Sequence, residues 1–221
     1  MNYRNTRGYL NCEKAVYHGA GKLQMPELQP VNLDVADTPM IGFNYAMSEK
    51  HPEDKIVHFF LDDYQFDRVW NKPDSYLSVL HRFKAVVTPD FSLYLDFPPV
   101  IQHYNNYRRQ WCGAYWQENG ITVIPTVRWS DEESYKWCFD GIPKHSLVCI
   151  STFGGIKEKA VAEKWMSGYH RALEVLEPSH ILFYGKVYPQ IDVPCEYTCA
   201  PNLNVLRRTE ASREKKAGMC V

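Results

Sequence analysis

Three charged residues of the chain could carry chemistry, and each follows the end of a short apolar run: Asp62, Asp90 and Arg128. Converging carboxylates can hold Mg²⁺ or serve as a general acid and base, and an arginine can bind a phosphate through two hydrogen bonds. We predict Asp90 as a base or metal ligand, because Thr88 and Pro89 fix the backbone before it. Neighbouring residues of a strand point to opposite faces, so either Asp62 or Asp63 could supply a second carboxylate, and we predict Asp62 as the catalytic one. We predict Arg128 as the group that stabilises negative charge.

Neighbouring residues complete the predicted site. Trp129 follows Arg128 and could stack on a base or a sugar ring. The segment 151–155 lies between a strand-like run and a helix-like stretch, so its backbone N–H groups could hold an anion. The predicted ligand-binding residues are Asp63, Trp129, Ser151, Thr152, Gly154, Gly155, Tyr184 and Lys186.

Each of these residues also has an ordinary structural interpretation. Aspartates at strand ends form turns and cap helices. Arg128 could pair with Asp90 or Asp62 merely to hold loops together, Trp129 could pack in the core, and Lys186 could be solvated. The segment 151–155 is neither a Walker A loop nor a dinucleotide fingerprint.

Metal ligands are not identified by the sequence. The one cofactor it suggests is a divalent metal such as Mg²⁺ or Mn²⁺ on the strand-end carboxylates. Cys195 and Cys199 form a close pair, but a zinc site usually needs a second close pair of Cys or His.

The elements that must position these residues are repeated βα units. Strand-like runs lie at residues 55–61, 84–88, 121–127, 147–152 and 181–184, with a shorter one at 40–45. Helix-like stretches separate the later runs, which is typical of parallel strands joined by helical crossovers. The sequence therefore predicts an α/β fold with a mostly parallel sheet of five or six strands, as an incomplete barrel or an open curved sheet. We expect an irregular segment at 1–39, the α/β domain at 40–187 and an extension at 188–221.

The composition excludes little. With 25 Lys and Arg against 26 Asp and Glu, the net charge of −1 shows no overall basic excess of the kind that DNA-binding domains have. A local patch on the helix-like stretch, at Tyr104, Tyr107, Arg108, Arg109 and Trp111, would keep nucleic acid open as a partner; the alternative is a stripe that faces the core. No apolar run reaches about 18 residues and no signal peptide is evident, so we expect a cytoplasmic protein that does not enter a membrane.

Four segments resemble a known family. They are Phe-Phe-Leu-Asp-Asp-Tyr-Gln-Phe at 59–66, Val-Thr-Pro-Asp-Phe-Ser at 87–92, Pro-Thr-Val-Arg-Trp at 125–129 and Ile-Ser-Thr-Phe-Gly at 150–154. The chain resembles an uncharacterised family of bacterial, phage and mobile-element proteins, domain of unknown function 4417, over about residues 40–187. The resemblance implies a biological context and no reaction.

Two functions remain open on the sequence. The first is an enzyme that acts on a phosphate-bearing small molecule or nucleotide where the carboxyl ends of the strands meet. The alternative is a non-catalytic phage or mobile-element accessory protein that binds a host protein or nucleic acid. Aromatic residues make up 14% of the chain, and they are common anchors at interfaces. The sequence does not indicate an oligomeric state.

Overall fold

Short parallel strands form the centre of the fold. The computed structural model describes residues 8–153 and 159–200, with the side chains of 159–161 left aside. Within that part the strands are β1 Met40–Gly42, β2 Ile56–His58, β3 Ala85–Val87, β4 Val123–Ile124, β5 Leu147–Ser151, β6 His180–Tyr184 and β7 Glu196–Cys199. Every strand pairing is parallel, as the βα pattern predicted.

The helices lie between the strands in the chain. They are α1 Phe43–Ala46, α2 Arg68–Asn71, α3 Asp74–Leu80, α4 Pro99–Glu118 and α5 Lys159–Leu176, with 3₁₀ turns at Asp63–Gln65 and Ser134–Lys136. The longest, α4, begins at a proline, whose fixed φ and missing N–H suit the first turn of a helix. Beyond its end, Gly120 adopts a φ of 78°, the left-handed conformation in which glycine commonly stops helices.

The strands form two sheets, so the prediction of five or six strands in one sheet is wrong. One sheet has the order β1-β2-β3-β4 and the other the order β5-β6-β7. A single parallel bridge between Thr126 and Cys149 links them, and Cys149 N–H donates to Pro125 O at 2.8 Å. Because β4 has only two residues and Pro125 has no N–H to donate, the ladder does not continue between the sheets. No barrel closes among the described residues.

The two faces of the sheets are covered by different cores. Side chains alternate along a strand, so Val57 faces α4 in the first core while Ile56 faces the opposite side. In the second core α5 packs on β5 and β6, with Tyr169 buried against Ile181. The third core, called here the inner core, combines both sheets. It contains Met40, Ile56, Ala85, Val87, Ile124, Leu147, Cys149, Leu182 and Tyr184.

Two parts of the fold lie outside the predicted strands. The N-terminal segment packs Val31 and Val35 on the inner core, and Leu147 N–H donates to Val31 O at 3.0 Å. The strand β7 pairs with β6 although its residues are mostly exposed. The predicted domain boundaries at 39 and 187 stay a prediction.

None of the helices within the described residues is both long enough and apolar enough to cross a membrane. The cytoplasmic location stays a prediction.

Candidate functional site

Asp90 lies beyond the carboxyl end of β3, between two arginine side chains. Its Oδ1 is 3.9 Å from Arg109 Nη2, and its Oδ2 is 3.8 Å from Arg128 Nη1. Both distances exceed hydrogen-bond length, and Oδ1 has no hydrogen-bond partner within the described residues. The Arg109 side chain is fully buried, whereas that of Arg128 is 33% exposed. Two arginines therefore flank one carboxylate, and neither is bound to it by a hydrogen bond.

Arg109 is a fixed cation of this group. Its Nη1 donates to Asn106 Oδ1 at 3.1 Å and its Nη2 to Phe91 O at 3.0 Å, while its buried Nε has no partner among the described residues. Burial lowers the pKa of Arg109, and the neighbouring Asp90 carboxylate opposes that shift. Since the pKa of a free guanidinium lies above 12, the side chain stays charged at neutral pH.

A buried stripe of polar side chains on α4 holds the segment that follows Asp90. The polar stripe consists of Gln102, Asn105, Asn106, Arg109 and Gln110, at the three- and four-residue spacing of one helix face. Gln102 Nε2 donates to Tyr94 O at 3.1 Å and to Phe97 O at 2.9 Å, and Asn105 Nδ2 donates to Ser92 O at 2.7 Å. With the Arg109 bond to Phe91 O, these contacts fix the backbone of residues 91–97.

The same helix shows that an exposed basic-aromatic patch does not form. Trp111 is fully buried in the first core, where its Nε1 donates to Ala15 O at 3.1 Å. Arg109 is buried as well, and Tyr104 and Tyr107 pack on that core. The alternative interpretation of this stretch, a stripe that faces the core, is the correct one.

Asp90, Arg109 and Arg128 are called here the Asp90 group. Of the two aspartates after β2, Asp63 is the one connected to this group. It accepts hydrogen bonds from Ser92 N–H at 3.2 Å and from Ser92 Oγ–H at 2.8 Å, and its charge acts on Arg109. Asp62 is exposed, and its Oδ2 accepts a bond from Gln65 Nε2 at 3.3 Å. The structure therefore joins Asp63 to Asp90 through the two strand-end loops and leaves the predicted catalytic Asp62 on the surface.

The other predicted residues occupy different surroundings. Trp129 is 8% exposed and packs on Trp165, with ring centroids 5.4 Å apart, so its indole is a core side chain. Ser151 and Thr152 are buried at the end of β5, where Thr152 N–H donates to Tyr184 O at 3.1 Å. Lys186 is exposed. Gly154 and Gly155 lie outside the described residues.

The described part of the chain contains no set of metal ligands, because no three His, Cys, Asp or Glu side chains come together there as a metal ion requires. The Asp90 carboxylate instead faces two cations. What this arrangement offers chemically is guanidinium N–H groups that could donate hydrogen bonds to an anion.

A surface groove of about 500 Å³ lies elsewhere, between the turn Ser134–Lys136 and α5. Its cations are already compensated: Lys136 pairs with Glu133 and Arg171 with Glu174, both at 2.6 Å. The groove therefore lacks the loosely paired arginines found at Asp90.

His58 is a buried residue at the end of β2 that the sequence-based prediction missed. Its Nδ1 accepts a hydrogen bond from Phe60 N–H at 3.2 Å, and its Nε2 is buried with no partner in the described residues. Burial lowers the pKa of His58 to about 3, so the ring is neutral at pH 7. The signal in the sequence is a single polar residue inside the apolar run 56–61, two positions after the inward-facing Ile56.

Comparisons with known proteins give a family and no structure. The sequence model of a family described as Domain of unknown function (DUF4417) matches residues 17–199. "Gene 1 protein" of Mycobacterium phage L5 is 34% identical over 176 residues, which cover 79% of this chain and 76% of that protein. "Gene 1 protein" of Mycobacterium phage D29 is 41% identical over 176 residues, 79% of this chain and 64% of that protein, less than two thirds of its length. No solved structure matches the chain.

Proposed function

The chain belongs to the family described as Domain of unknown function (DUF4417), and from that premise we propose that it binds a phosphate-bearing small molecule or nucleotide at the carboxyl ends of its parallel strands and catalyses a reaction there. Parallel strands commonly present ligand sites at this edge, because every strand ends there and the loops converge. The proposal rests on side chains and not on the family, whose description states no activity.

The single observation that carries the proposal is the loose pairing of two arginines with Asp90. One carboxylate lies 3.9 Å from Arg109 and 3.8 Å from Arg128, and neither ion pair reaches hydrogen-bond length. A phosphate carries between one and two negative charges at neutral pH and accepts two parallel bonds from a guanidinium. Arg128, which is one-third exposed, is the cation that solvent and ligand reach.

Asp90 is the residue that would act on the bound molecule. Its Oδ1 makes no hydrogen bond within the described residues, and its position is set by the segment that the polar stripe holds. A carboxylate whose oxygen is not otherwise engaged can accept a proton from a substrate hydroxyl or from water. Arg128 would meanwhile stabilise charge on the phosphate oxygens.

Thermal unfolding in the presence of inorganic phosphate tests the binding step, since a ligand that prefers the folded state raises the unfolding temperature. We expect phosphate to stabilise the wild-type chain and to have no effect on Arg128→Ala. The matched control is Arg171→Ala, which removes another partly exposed arginine paired with a carboxylate, Glu174. A shift retained in Arg128→Ala, or no shift in the wild type at millimolar phosphate, would remove the proposed site.

A second candidate function is supported by exposed apolar side chains around the same edge. Large apolar residues in the loops after β2, β3, β5 and β6 are exposed: Tyr64, Tyr94, Leu95, Phe153 and Tyr188. Exposed clusters of this kind mark protein interfaces, which fits a non-catalytic accessory protein that binds another protein.

Site-specific photocrosslinking separates the two candidates. A photoreactive amino acid at Tyr94 is compared with one at Leu23, which is also exposed but lies outside these loops. A discrete adduct with one protein at position 94 and not at position 23 supports the accessory function. Equal labelling at the two positions contradicts it.

A further inference from the structure

The Nε2 group of His58 is a buried hydrogen-bond donor without an acceptor. Phe60 N–H occupies Nδ1, so Nδ1 carries no proton and the proton of the neutral ring lies on Nε2. Nε2 is inaccessible to solvent and finds no acceptor within the described residues. An unsatisfied buried donor is unfavourable, so a bound molecule that supplies an acceptor there would be stabilised.

Aromatic side chains connect this donor to the surface. Tyr184 lies between the rings, with its centroid 4.4 Å from His58, 4.5 Å from Phe60 and 5.0 Å from Phe153. His58 is fully buried, Tyr184 is nearly so, and Phe153 is 54% exposed. These four residues, the aromatic cluster, thus run from solvent to the inner core and offer flat apolar faces along the way.

Arg128 and the aromatic cluster both lie at the carboxyl ends of the strands. Arg128 follows two residues after Thr126, which forms a parallel bridge with Cys149, an inner-core residue of β5. Two residues further along the same face, Ser151 pairs in register with Tyr184. Neighbouring strands are about 5 Å apart, so the backbones at Arg128 and Tyr184, on either side of Ser151, lie within the reach of one nucleotide.

We propose that the ligand is a nucleoside phosphate whose base enters the aromatic cluster and accepts a hydrogen bond from His58 Nε2 while Arg128 binds its phosphate. The inference rests on the proposed function, because that function concerns the phosphate of the ligand and the inference adds the base. Bases stack on aromatic side chains irrespective of sequence, and every base carries ring or carbonyl acceptors. A neutral donor among aromatic rings suits an uncharged base and not a second phosphate.

Entry of the base requires one ring of the aromatic cluster to move, because Nε2 has no accessible surface. Phe153 is the most exposed member, and exposed side chains change rotamer within nanoseconds. The structure therefore assigns Phe153 as the ring that the base displaces or stacks upon.

Binding of a matched pair of probes tests the proposal. Adenosine 5′-monophosphate and ribose 5-phosphate share sugar and phosphate and differ only in the base. We expect the nucleotide to bind the wild-type chain roughly tenfold more tightly in calorimetric titration, the effect of one stacked base. The three other ribonucleoside monophosphates show which base is preferred. Equal affinity for ribose 5-phosphate and all four nucleotides overturns the proposal.

Two isosteric variants separate the donor from the structural role of the ring. In His58→Asn the amide oxygen replaces Nδ1 as acceptor for Phe60 N–H, and the Nε2 donor is lost. In His58→Gln the amide nitrogen replaces the Nε2 donor, and the Nδ1 acceptor is lost. We expect His58→Asn to fold and to lose at least half of the tenfold preference for the nucleotide, while His58→Gln keeps it. The reverse order overturns the role of Nε2.

Failure of this inference is distinguishable from failure of the proposed function. If inorganic phosphate stabilises the chain through Arg128 but the base adds no affinity, only the nucleoside assignment falls. If neither phosphate nor any nucleotide stabilises the wild-type chain, both fall. Phe153→Ala adds an independent readout: it should weaken nucleotide binding and leave the effect of inorganic phosphate unchanged.

Discussion

Arg109 and Asp90 form a buried ion pair in which neither partner completes its hydrogen bonds. Arg109 Nη2 lies 3.9 Å from Asp90 Oδ1, and both Arg109 Nε and Asp90 Oδ1 have no partner within the described residues. Arg128 faces the other carboxylate oxygen at 3.8 Å, with a third of its side chain exposed. Two arginines at equal distance from one carboxylate thus differ in burial, which allows their contributions to be separated.

Stability should depend on the buried arginine and hardly on the exposed one. Arg109→Met leaves Asp90 without its buried partner, so we expect a loss of about 3–5 kcal/mol in the free energy of unfolding. Arg128→Met removes a solvent-screened pair and should cost about 1 kcal/mol or less. Urea denaturation of the two variants measures both values. Equal losses would show that burial does not distinguish the two pairs.

Removing the charge of Asp90 should strengthen anion binding. In Asp90→Asn the two guanidiniums lose their counter-charge, and a like charge about 4 Å away is worth ~1 kcal/mol even in water. We expect inorganic phosphate to bind roughly fivefold more tightly, while turnover of a nucleotide substrate is lost. Calorimetric titration measures the affinity, with Glu174→Gln, which frees Arg171 instead, as the control. Weaker phosphate binding in Asp90→Asn would mean that Asp90 itself contacts the ligand.

Acid should destabilise the fold through His58. Its pKa is about 3 in the folded chain, against an ordinary value of 6.5. Between these values the unfolded chain binds a proton that the folded chain does not, so this contribution is complete above pH 6.5 and is lost as the pH falls toward 3. The loss is about 1.4 kcal/mol per pH unit, or about 2 kcal/mol by pH 5.

The variant His58→Asn isolates that contribution, because its side chain does not titrate. Urea denaturation at pH 7 and pH 5 should show the wild type losing about 2 kcal/mol more than the variant over this range. Carboxylates titrate in both proteins and cancel in the comparison. Identical losses would place a charged or solvated imidazole at position 58.

Gly168 of α5 should not tolerate alanine, although alanine favours helices. A Cβ atom at Gly168 would lie 2.2 Å from Cδ1 and from Nε1 of the Trp129 indole, which is itself packed on Trp165. We expect Gly168→Ala to destabilise the fold by about 1–2 kcal/mol, because overpacking outweighs the gain in helix propensity. Thermal denaturation measures the loss. The same substitution in a Trp129→Val background should be neutral or stabilising; an undiminished loss there would place the clash elsewhere.

Sequence reasoning located the strands but not the way in which they assemble. Each predicted run overlaps an observed strand, because residues buried on both faces of a parallel sheet are apolar at successive positions, as in Leu147–Ser151. The break between the sheets depends on Pro125 and on a two-residue β4, whereas the strand-like run at 121–127 predicts one longer strand. The strand Glu196–Cys199 was not predicted, because its side chains are mostly exposed and polar.

The site was predicted in part for similar physical reasons. Asp90 and Arg128 follow their strands directly, so the rule that strand ends converge was enough to place them together. Arg109 lies 18 residues beyond Phe91 in the chain, on a helix. The sequence pattern of that helix is dominated by its aromatic side chains, which lie on its other face. His58 was missed because it lies inside an apolar run. Only its position, two residues after the inward-facing Ile56, indicates that its side chain faces the inner core.

The polar stripe of α4 has a consequence for how relatives of this protein can diverge. Gln102, Asn105 and Arg109 hold the loop after β3 by its main-chain carbonyl oxygens and not by its side chains. Substitutions at exposed loop positions such as Tyr94 and Leu95 should therefore leave the loop backbone in place. A protein built in this way can exchange the exposed residues of this loop one by one while the loop backbone keeps its position.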